Sequence, residues 1–262
     1  MRPIARRIAV PTFAKTVCLI SLLLLFCPAQ FGSEKARSKI VCREQLSTVR
    51  RNELASKLRR ITGWPGLKFD ETGALVLGEE EPVGGSRTAR DLIARAISGA
   101  KVLILEDASN RADVIFARVV GGYWKKDPLS KPPVYVVLID FADFDHLMGD
   151  SRALNAFDVG WGVLHEIDHV VNDSVDPDKS GAAGECEERI NEMRRECNLP
   201  QRTDYYYTFF PHADESPFAT KLVRLAFDQE NPATKKHRRY WLIWDATQVG
   251  GLNQSKQIAE LR

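Results

Sequence analysis

The sequence predicts an α+β domain. Three observations carry this: helical spacing near the N-terminus, a central block of β-branched runs followed by two further helical stripes, and a return to β-like runs at the end. Segregated helices and strands, without a regular βαβ alternation, are the mark of that class. In chain order, Leu46, Val49, Leu54, Leu58 and Ile61 recur every three to five residues and stop at Gly63, the pattern of an amphipathic helix with a glycine end. Residues 67–69 and 74–77 flank Asp70-Glu71-Thr72-Gly73, a hairpin connection. Thr88 with Asp91 three residues on reads as a capping box, the acid replacing the usual Glu, and Gly99 supplies a left-handed stop, so the two bracket a second helix.

Runs 102–105, 114–120 and 134–139 are rich in β-branched residues and read as strands. The stretch 121–133 holds three prolines and is excluded from strand interior. From Ser151 as N-cap, Leu154, Phe157, Trp161, Leu164 and Val171 form one helical stripe to about Asn172. After a loop at 173–184, Cys186, Ile190, Met193 and Cys197 make the apolar seam of another helix, ended by Asn198-Leu199-Pro200. Runs 221–227 and 240–244 close the chain as strands, and the basic run 235–239 is a solvated turn before the last of them.

With 262 residues, 44% hydrophobic and 27% charged, the chain has ordinary globular composition and can bury a core. Its one long apolar stretch, residues 17–26, is too short for the roughly 20 residues of a membrane-spanning helix. Arg2, Arg6, Arg7 and Lys15 precede it without an acidic residue, and Cys27-Pro28-Ala29 follows, which is the layout of a secretory signal peptide over residues 1–29. The bulky Phe26 argues against lipid attachment at Cys27, and Arg6-Arg7 fits an ordinary basic n-region. Residues 30–262 are then a single domain in a secreted or periplasmic setting, with no membrane span once the signal is removed.

The four basic residues of the signal exceed the +2 of the whole chain, leaving the remainder slightly acidic at −2. That body offers no electrostatic footprint for nucleic acid. Cys42, Cys186 and Cys197 remain after signal removal. Cys186 and Cys197 lie too far apart along one helix to bond each other, and either could pair with Cys42.

His165-Glu166-Ile167-Asp168-His169 is an HExxH segment inside a helical stripe. Spacing of four places both imidazoles on one helix face, where they can share a tetrahedral metal, and Glu166 projects about 100° round towards its open side. Two neutral imidazoles and a third protein ligand leave one position for water, whose pKa falls to roughly 7 on zinc. Glu166 is the candidate general base. Trp161, Leu164, Val170 and Val171 place these charged residues on a helix largely inside the protein, where they need a partner or a purpose.

The segment resembles the active-site helix of the zincin metallopeptidases. A second stretch, from Gly184-Glu185-Cys186 through Asn191, Arg194 and Leu199-Pro200-Gln201-Arg202, is similar to the stretch that follows HExxH in effector-type and RHS-toxin-associated zinc peptidase domains. Together they cover about residues 155–205. The resemblance implies a zincin-like fold, a mixed sheet with an active-site helix and a following ligand helix, and zinc held by His165, His169 and Glu185, with Glu188 the alternative third ligand. Read without it, Glu185, Glu188, Glu192 and Glu196 are an ordinary acidic outer face. Asp168 departs from the usual uncharged residue at its position: it either orients an imidazole or a nearby arginine, or marks a site that has lost activity.

Tyr205, Tyr206, Tyr207 and His212 follow the ligand helix as candidates for oxyanion stabilisation, though consecutive tyrosines cannot all face one site. The expected activity is hydrolysis of a peptide or protein substrate by zinc-bound water activated by Glu166, with strand 134–139 offering an edge on which the substrate adds. The alternative is a catalytically inactive envelope binding protein with a structural or vestigial metal site.

Overall fold

The computed structural model describes residues 38–122, 133–210 and 221–250. The chain divides into two units, Met1–Ala36 and Arg37–Arg262, and all described residues lie in the second. The signal segment and His212 lie outside the described residues. Among the described residues no helix is long and apolar enough to cross a membrane.

Strand β1 (Ile40–Cys42) leads into helix α1 (Thr48–Thr62), the hairpin β2 (Lys68–Phe69) and β3 (Leu75–Val76), and helix α2 (Arg87–Ser98). Then come β4 (Val102–Asp107), β5 (Ala117–Gly122), β6 (Val134–Ile139), a short α3 (Phe141–Asp145) and β7 (Met148–Gly149). Helices α4 (Ser151–Ala156), α5 (Val159–Asn172) and α6 (Glu185–Glu196) follow, and strands β8 (Gln201–Arg202), β9 (Thr208–Phe209), β10 (Leu222–Glu230) and β11 (His237–Asp245) finish the chain.

One sheet is mixed, in the order β1-β4-β6-β5, with β1, β4 and β6 parallel and β5 antiparallel to β6. The other is antiparallel, in the order β7-β11-β10-β8 with β9 also on β10. Helices and strands are therefore combined as an α+β arrangement with a mixed sheet. β6 is an interior strand, so the expected substrate edge at Val134–Ile139 is corrected: both its sides are paired, and among the described residues the edge strands of this sheet are β1 and β5.

The main core joins Leu54 and Leu58 of α1, Leu92 of α2, Leu103 of β4, Val137 of β6, Trp161 and Leu164 of α5, and Ile190 of α6. A second core lies against the antiparallel sheet, where Val223, Leu225 and Phe227 of β10 face Leu242 and Trp244 of β11, with Ala153, Ala156 and Phe157 packed against them. This explains why the expected single helix from Ser151 to Asn172 is broken. Its stripe serves two cores, so the chain turns at Phe157 (φ −146°, ψ 83°), and Asp158 caps α5 by accepting from Gly160 N at 3.0 Å. Asp150, not Ser151, stands at the N-cap of α4.

Other boundaries follow local bonding. Gly63 ends α1 with φ 75° as expected. α2 is capped by Ser86, whose hydroxyl accepts from Ala89 N at 2.9 Å, rather than by Thr88. Gly99 is extended (φ −70°, ψ 177°), not left-handed. β5 starts after Phe116 (φ 61°), whose N–H donates to Asp143 at 2.8 Å. In the basic run, His237, Arg238 and Arg239 belong to β11, and Arg239 pairs with its cross-strand partner Asp228 at 2.8 Å. Cys42, Cys186 and Cys197 are all free thiols, so neither Cys186 nor Cys197 pairs with Cys42.

Candidate metal centre

α5 lies between the mixed sheet and α6, and its register puts His165 and His169 on one side, ring centroids 4.7 Å apart and nearly perpendicular at 83°. The carboxylate that meets them is Asp176, from the loop between α5 and α6. Its Oδ1 lies 3.1 Å from His165 Nε2 and its Oδ2 3.3 Å from His169 Nε2. His165, His169, Asp176 and Cys186 each offer a ligand atom, all within 4.8 Å of one another, the group among the described residues that could hold a metal ion.

The expected third ligand, Glu185, is not brought to this group. It is the first residue of α6 and is exposed, as are Glu188, Glu192 and Glu196, so those four form the acidic outer face. The helix turns the next two residues inward instead. Cys186 is buried, its thiol donating to the His165 carbonyl at 3.4 Å, and burial pushes that thiol up to about 11. Glu187 is 1% exposed and lies 3.3 Å from His165 Nδ1.

The other ring nitrogens decide the tautomers. His169 Nδ1 lies 2.8 Å from the Ser174 carbonyl, which can only accept, so Nδ1 carries the proton. The Glu187 carboxylate likewise accepts from His165 Nδ1. Each Nε2 faces the Asp176 carboxylate, which also only accepts, so a cation bound there would displace the Nε2 protons while partners outside the ligand set orient the imidazoles. Bonds of about 2.0–2.1 Å at tetrahedral angles give ligand-to-ligand spacings of roughly 3.3 Å; the two nitrogen-to-oxygen distances, which run to different Asp176 oxygens, are close to this, while the four ligand atoms lie within 4.8 Å of one another. The residues fit a small divalent metal.

Charge around the group is closely matched. Burial works to raise Glu187, but the Arg194 and Arg202 guanidiniums hold its carboxyl well below the ordinary range. Arg194 bonds it directly, and Arg202 Nη1 lies 3.2 Å away. Burial also works to raise Asp176, and hydrogen bonds from His165 and His169 overcome it. For His165 burial opposes protonation, yet Asp176, Cys186 and Glu187 raise the imidazole well above its ordinary 6.5, so a cation there would take the place of protons.

Glu166 is 8% exposed and its Oε2 accepts from Val119 N of β5 at 2.7 Å. Burial pushes its carboxyl above the ordinary value, the direction useful to a group that must exchange a proton near neutrality. Asp168 is fully buried. It accepts from Ser174 Oγ at 2.7 Å, Asn172 Nδ2 at 2.6 Å and Arg189 Nη1 at 2.5 Å. It therefore reaches His169 indirectly, by fixing the residue whose carbonyl orients that ring.

Tyr205 OH donates to Asp176 Oδ2 at 2.7 Å, and Tyr206 OH to the Pro177 carbonyl at 2.9 Å. Both tyrosines hold the loop that carries Asp176. Tyr207 packs on Trp244 instead, centroids 5.4 Å apart.

Sequence reasoning missed Asp176 and Glu187. The only signal for Glu187 was its position off the outer acidic stripe and beside Cys186 on the seam. For Asp176 it was an Asp-Pro step in the loop after His169. No protein-family model, no curated protein and no solved structure matches the chain.

Proposed function

We propose that the protein is an exported zinc-dependent metallopeptidase of zincin-like fold, similar to the effector-type peptidase domains, in which His165, His169 and Asp176 hold the metal and Glu166 is the general base. The observation that supports this most directly is the convergence of both imidazoles of HExxH on one carboxylate, each with its far nitrogen already committed to an acceptor. Zinc bound there would supply Lewis acidity and make water a nucleophile near neutral pH.

The chain's own residues do the rest. Glu166, one position along the helix from His165, takes up a proton and returns it to the leaving amine. Its hydrogen bond to Val119 N fixes the carboxylate beside β5, an edge strand of the mixed sheet. A peptide laid along that edge would place its backbone next to the base. Glu187 and Ser174 keep the two imidazoles in the metal-binding tautomer.

Glu166→Gln is expected to retain about one zinc per chain and to lose hydrolysis of a peptide library. Wild-type activity in that variant overturns the mechanism.

A second reading rests on Cys186, whose sulfur belongs to the same group. As a fourth protein ligand it would close the site, giving a structural metal in an inactive envelope binding protein. Chelation separates the two. A structural site loses folding with its metal, whereas a catalytic site leaves a folded, inactive protein.

A further inference from the structure

A pocket of about 270 Å³ opens beside the metal group, with His165 and Glu166 in its lining and Phe116, Phe157 and Trp244 among its walls. It is slightly smaller than the roughly 300–1,000 Å³ of sites that take a drug-sized molecule, so its scale is that of one large side chain. Two cations line it as well, Arg194 and Arg202, together with the carboxylate they share, Glu187. Glu166, the other acid in the lining, is tied to Val119 N of β5. A second buried cation on one carboxylate is costly unless further acceptors meet the extra charge.

Arg202 finds such acceptors, its Nε and Nη2 donating to the carbonyls of Asp204 and Tyr205. Arg194 finds them only in part. Its Nε donates to the Ala156 carbonyl at 2.8 Å and its Nη1 to Glu187 and to Asn191 Oδ1, but its Nη2 makes no hydrogen bond among the described residues. The guanidinium is held in place, with Cζ 5.4 Å from the ring centroids of both Trp161 and Phe227. Among the described residues, the unpartnered side-chain nitrogens sealed from any surface are Arg224 Nε and Trp244 Nε1. Arg194 Nη2 is not one of them, so it touches open space, and since Arg194 is 1% exposed that space is the pocket.

We infer that this pocket takes a carboxylate of the substrate on an apolar stem, the stem lying among Phe116, Phe157 and Trp244 and one carboxylate oxygen accepting from Arg194 Nη2. A glutamate side chain beside the cleaved bond and the free C-terminus of a short peptide both offer that group. The inference rests on the peptidase reading for the occupant being part of a substrate, and on the pocket alone for its charge.

The test is isothermal titration of the zinc-loaded protein carrying Glu166→Gln with alanine pentapeptides. Three are acetylated and amidated, with glutamate, glutamine or leucine at the centre, and the fourth is acetylated pentaalanine with a free C-terminus. The capped glutamate peptide marks the side chain as the source, and the uncapped peptide marks the terminus. One of these two is expected to bind about tenfold or more tighter than the glutamine peptide, because a charge-assisted bond to a buried guanidinium is roughly twice as strong as a neutral one. Arg194→Lys keeps the charge that faces Glu187 and removes Nη2, and should bring the favoured peptide down to the level of glutamine. Ile115 stands at the mouth, lining the pocket and 39% exposed. Ile115→Glu should weaken the favoured peptide by about threefold or more through like-charge repulsion. Equal binding of all four peptides, tightest binding of leucine, or a carboxylate preference that survives Arg194→Lys overturns the inference. If Arg194→Lys does not fold, a preference untouched by Ile115→Glu overturns it instead. Carboxylate preference in a protein whose wild type hydrolyses nothing sinks the peptidase reading and keeps the pocket assignment. Hydrolysis without carboxylate preference does the reverse.

Discussion

The Tyr205 hydroxyl lies 2.7 Å from Asp176 Oδ2 and donates to it, while the Tyr205 ring stacks on His165 at 6.0 Å and 27°. One side chain thus steadies both a carboxylate and an imidazole of the candidate metal group. Tyr205→Phe keeps the stacking and removes the hydrogen bond. It is expected to weaken zinc binding by about 10–100-fold, the range for partners that orient a ligand, as measured by competition with a chromophoric chelator. Unchanged affinity would mean that Asp176 does not bind the metal.

Asp176 and Glu185 can be told apart directly. Asp176→Asn should reduce zinc to well below one per chain after dialysis, with affinity falling by more than about 100-fold. Glu185→Ala should retain the metal, because the Glu185 side chain is exposed outside the group. Loss of metal in Glu185→Ala with retention in Asp176→Asn would reverse the assignment.

Asp168 carries the link between packing and site. Asp168→Ala leaves Arg189 without its carboxylate and Ser174 without its acceptor. Breaking a buried ion pair costs about 3–5 kcal/mol, and since the Arg189 side chain is 28% exposed a loss below that range is expected, about 2–3 kcal/mol. Asp168→Asn keeps one oxygen acceptor and should cost about half as much in urea unfolding. Both should weaken zinc binding by loosening the Ser174 carbonyl against His169. A variant that loses stability but keeps wild-type zinc affinity would show Asp168 to be structural only.

Much of this was legible in the sequence because periodicity reports which face of an element is buried. The hairpin, β6, α1, the α6 seam and the facing pair His165 and His169 all follow from local spacing. The rest depended on tertiary context. The break at Phe157 exists because one stripe must feed two cores, and no period in residues 151–172 encodes that. Asp176 sits in an irregular loop, where spacing carries no directional information, and its role is set by Tyr205 and Tyr206 about thirty residues later. Glu185 was favoured by a motif that places an acid at the start of α6. The helix phase then decides that Cys186 and Glu187 face inward and Glu185 does not. The edge was assigned to β6 rather than β5 because strand order in a sheet is not a local property.

Gly184 gives that motif a physical reason. Its φ is +83°, and a Cβ there would stand 2.4 Å from Pro177 Cδ, on the residue next to Asp176. With ψ 166° as well, Gly184 sits in a backbone region essentially reserved for glycine, so Gly184→Ala combines a penalty of about 1–3 kcal/mol with a push on the ligand loop. The expected outcome is lower thermal stability together with weaker zinc binding, by calorimetry and chelator competition. If the variant binds zinc as wild type does, the glycine serves the backbone alone.

Glu196 ties α6 to the start of α2 and makes stability depend on pH. Its Oε2 accepts from Ser86 Oγ at 2.5 Å and Thr88 N at 3.0 Å, so it shares the capping of α2 with Ser86. Burial works to raise this carboxyl, but the bonds from Ser86 and Thr88 hold it below the ordinary 4.5. A depressed carboxyl gives stability that is present above its unfolded value and is lost as pH falls through the folded one. Glu196→Gln keeps an acceptor and removes the charge, and because Glu196 is exposed the effect should be modest, about 0.5–1 kcal/mol at pH 7. Urea unfolding of wild type and variant from pH 7 to pH 3 should show that gap closing as pH falls below about 4.5. A gap that stays constant over the range would mean that the Glu196 charge contributes nothing to the cap.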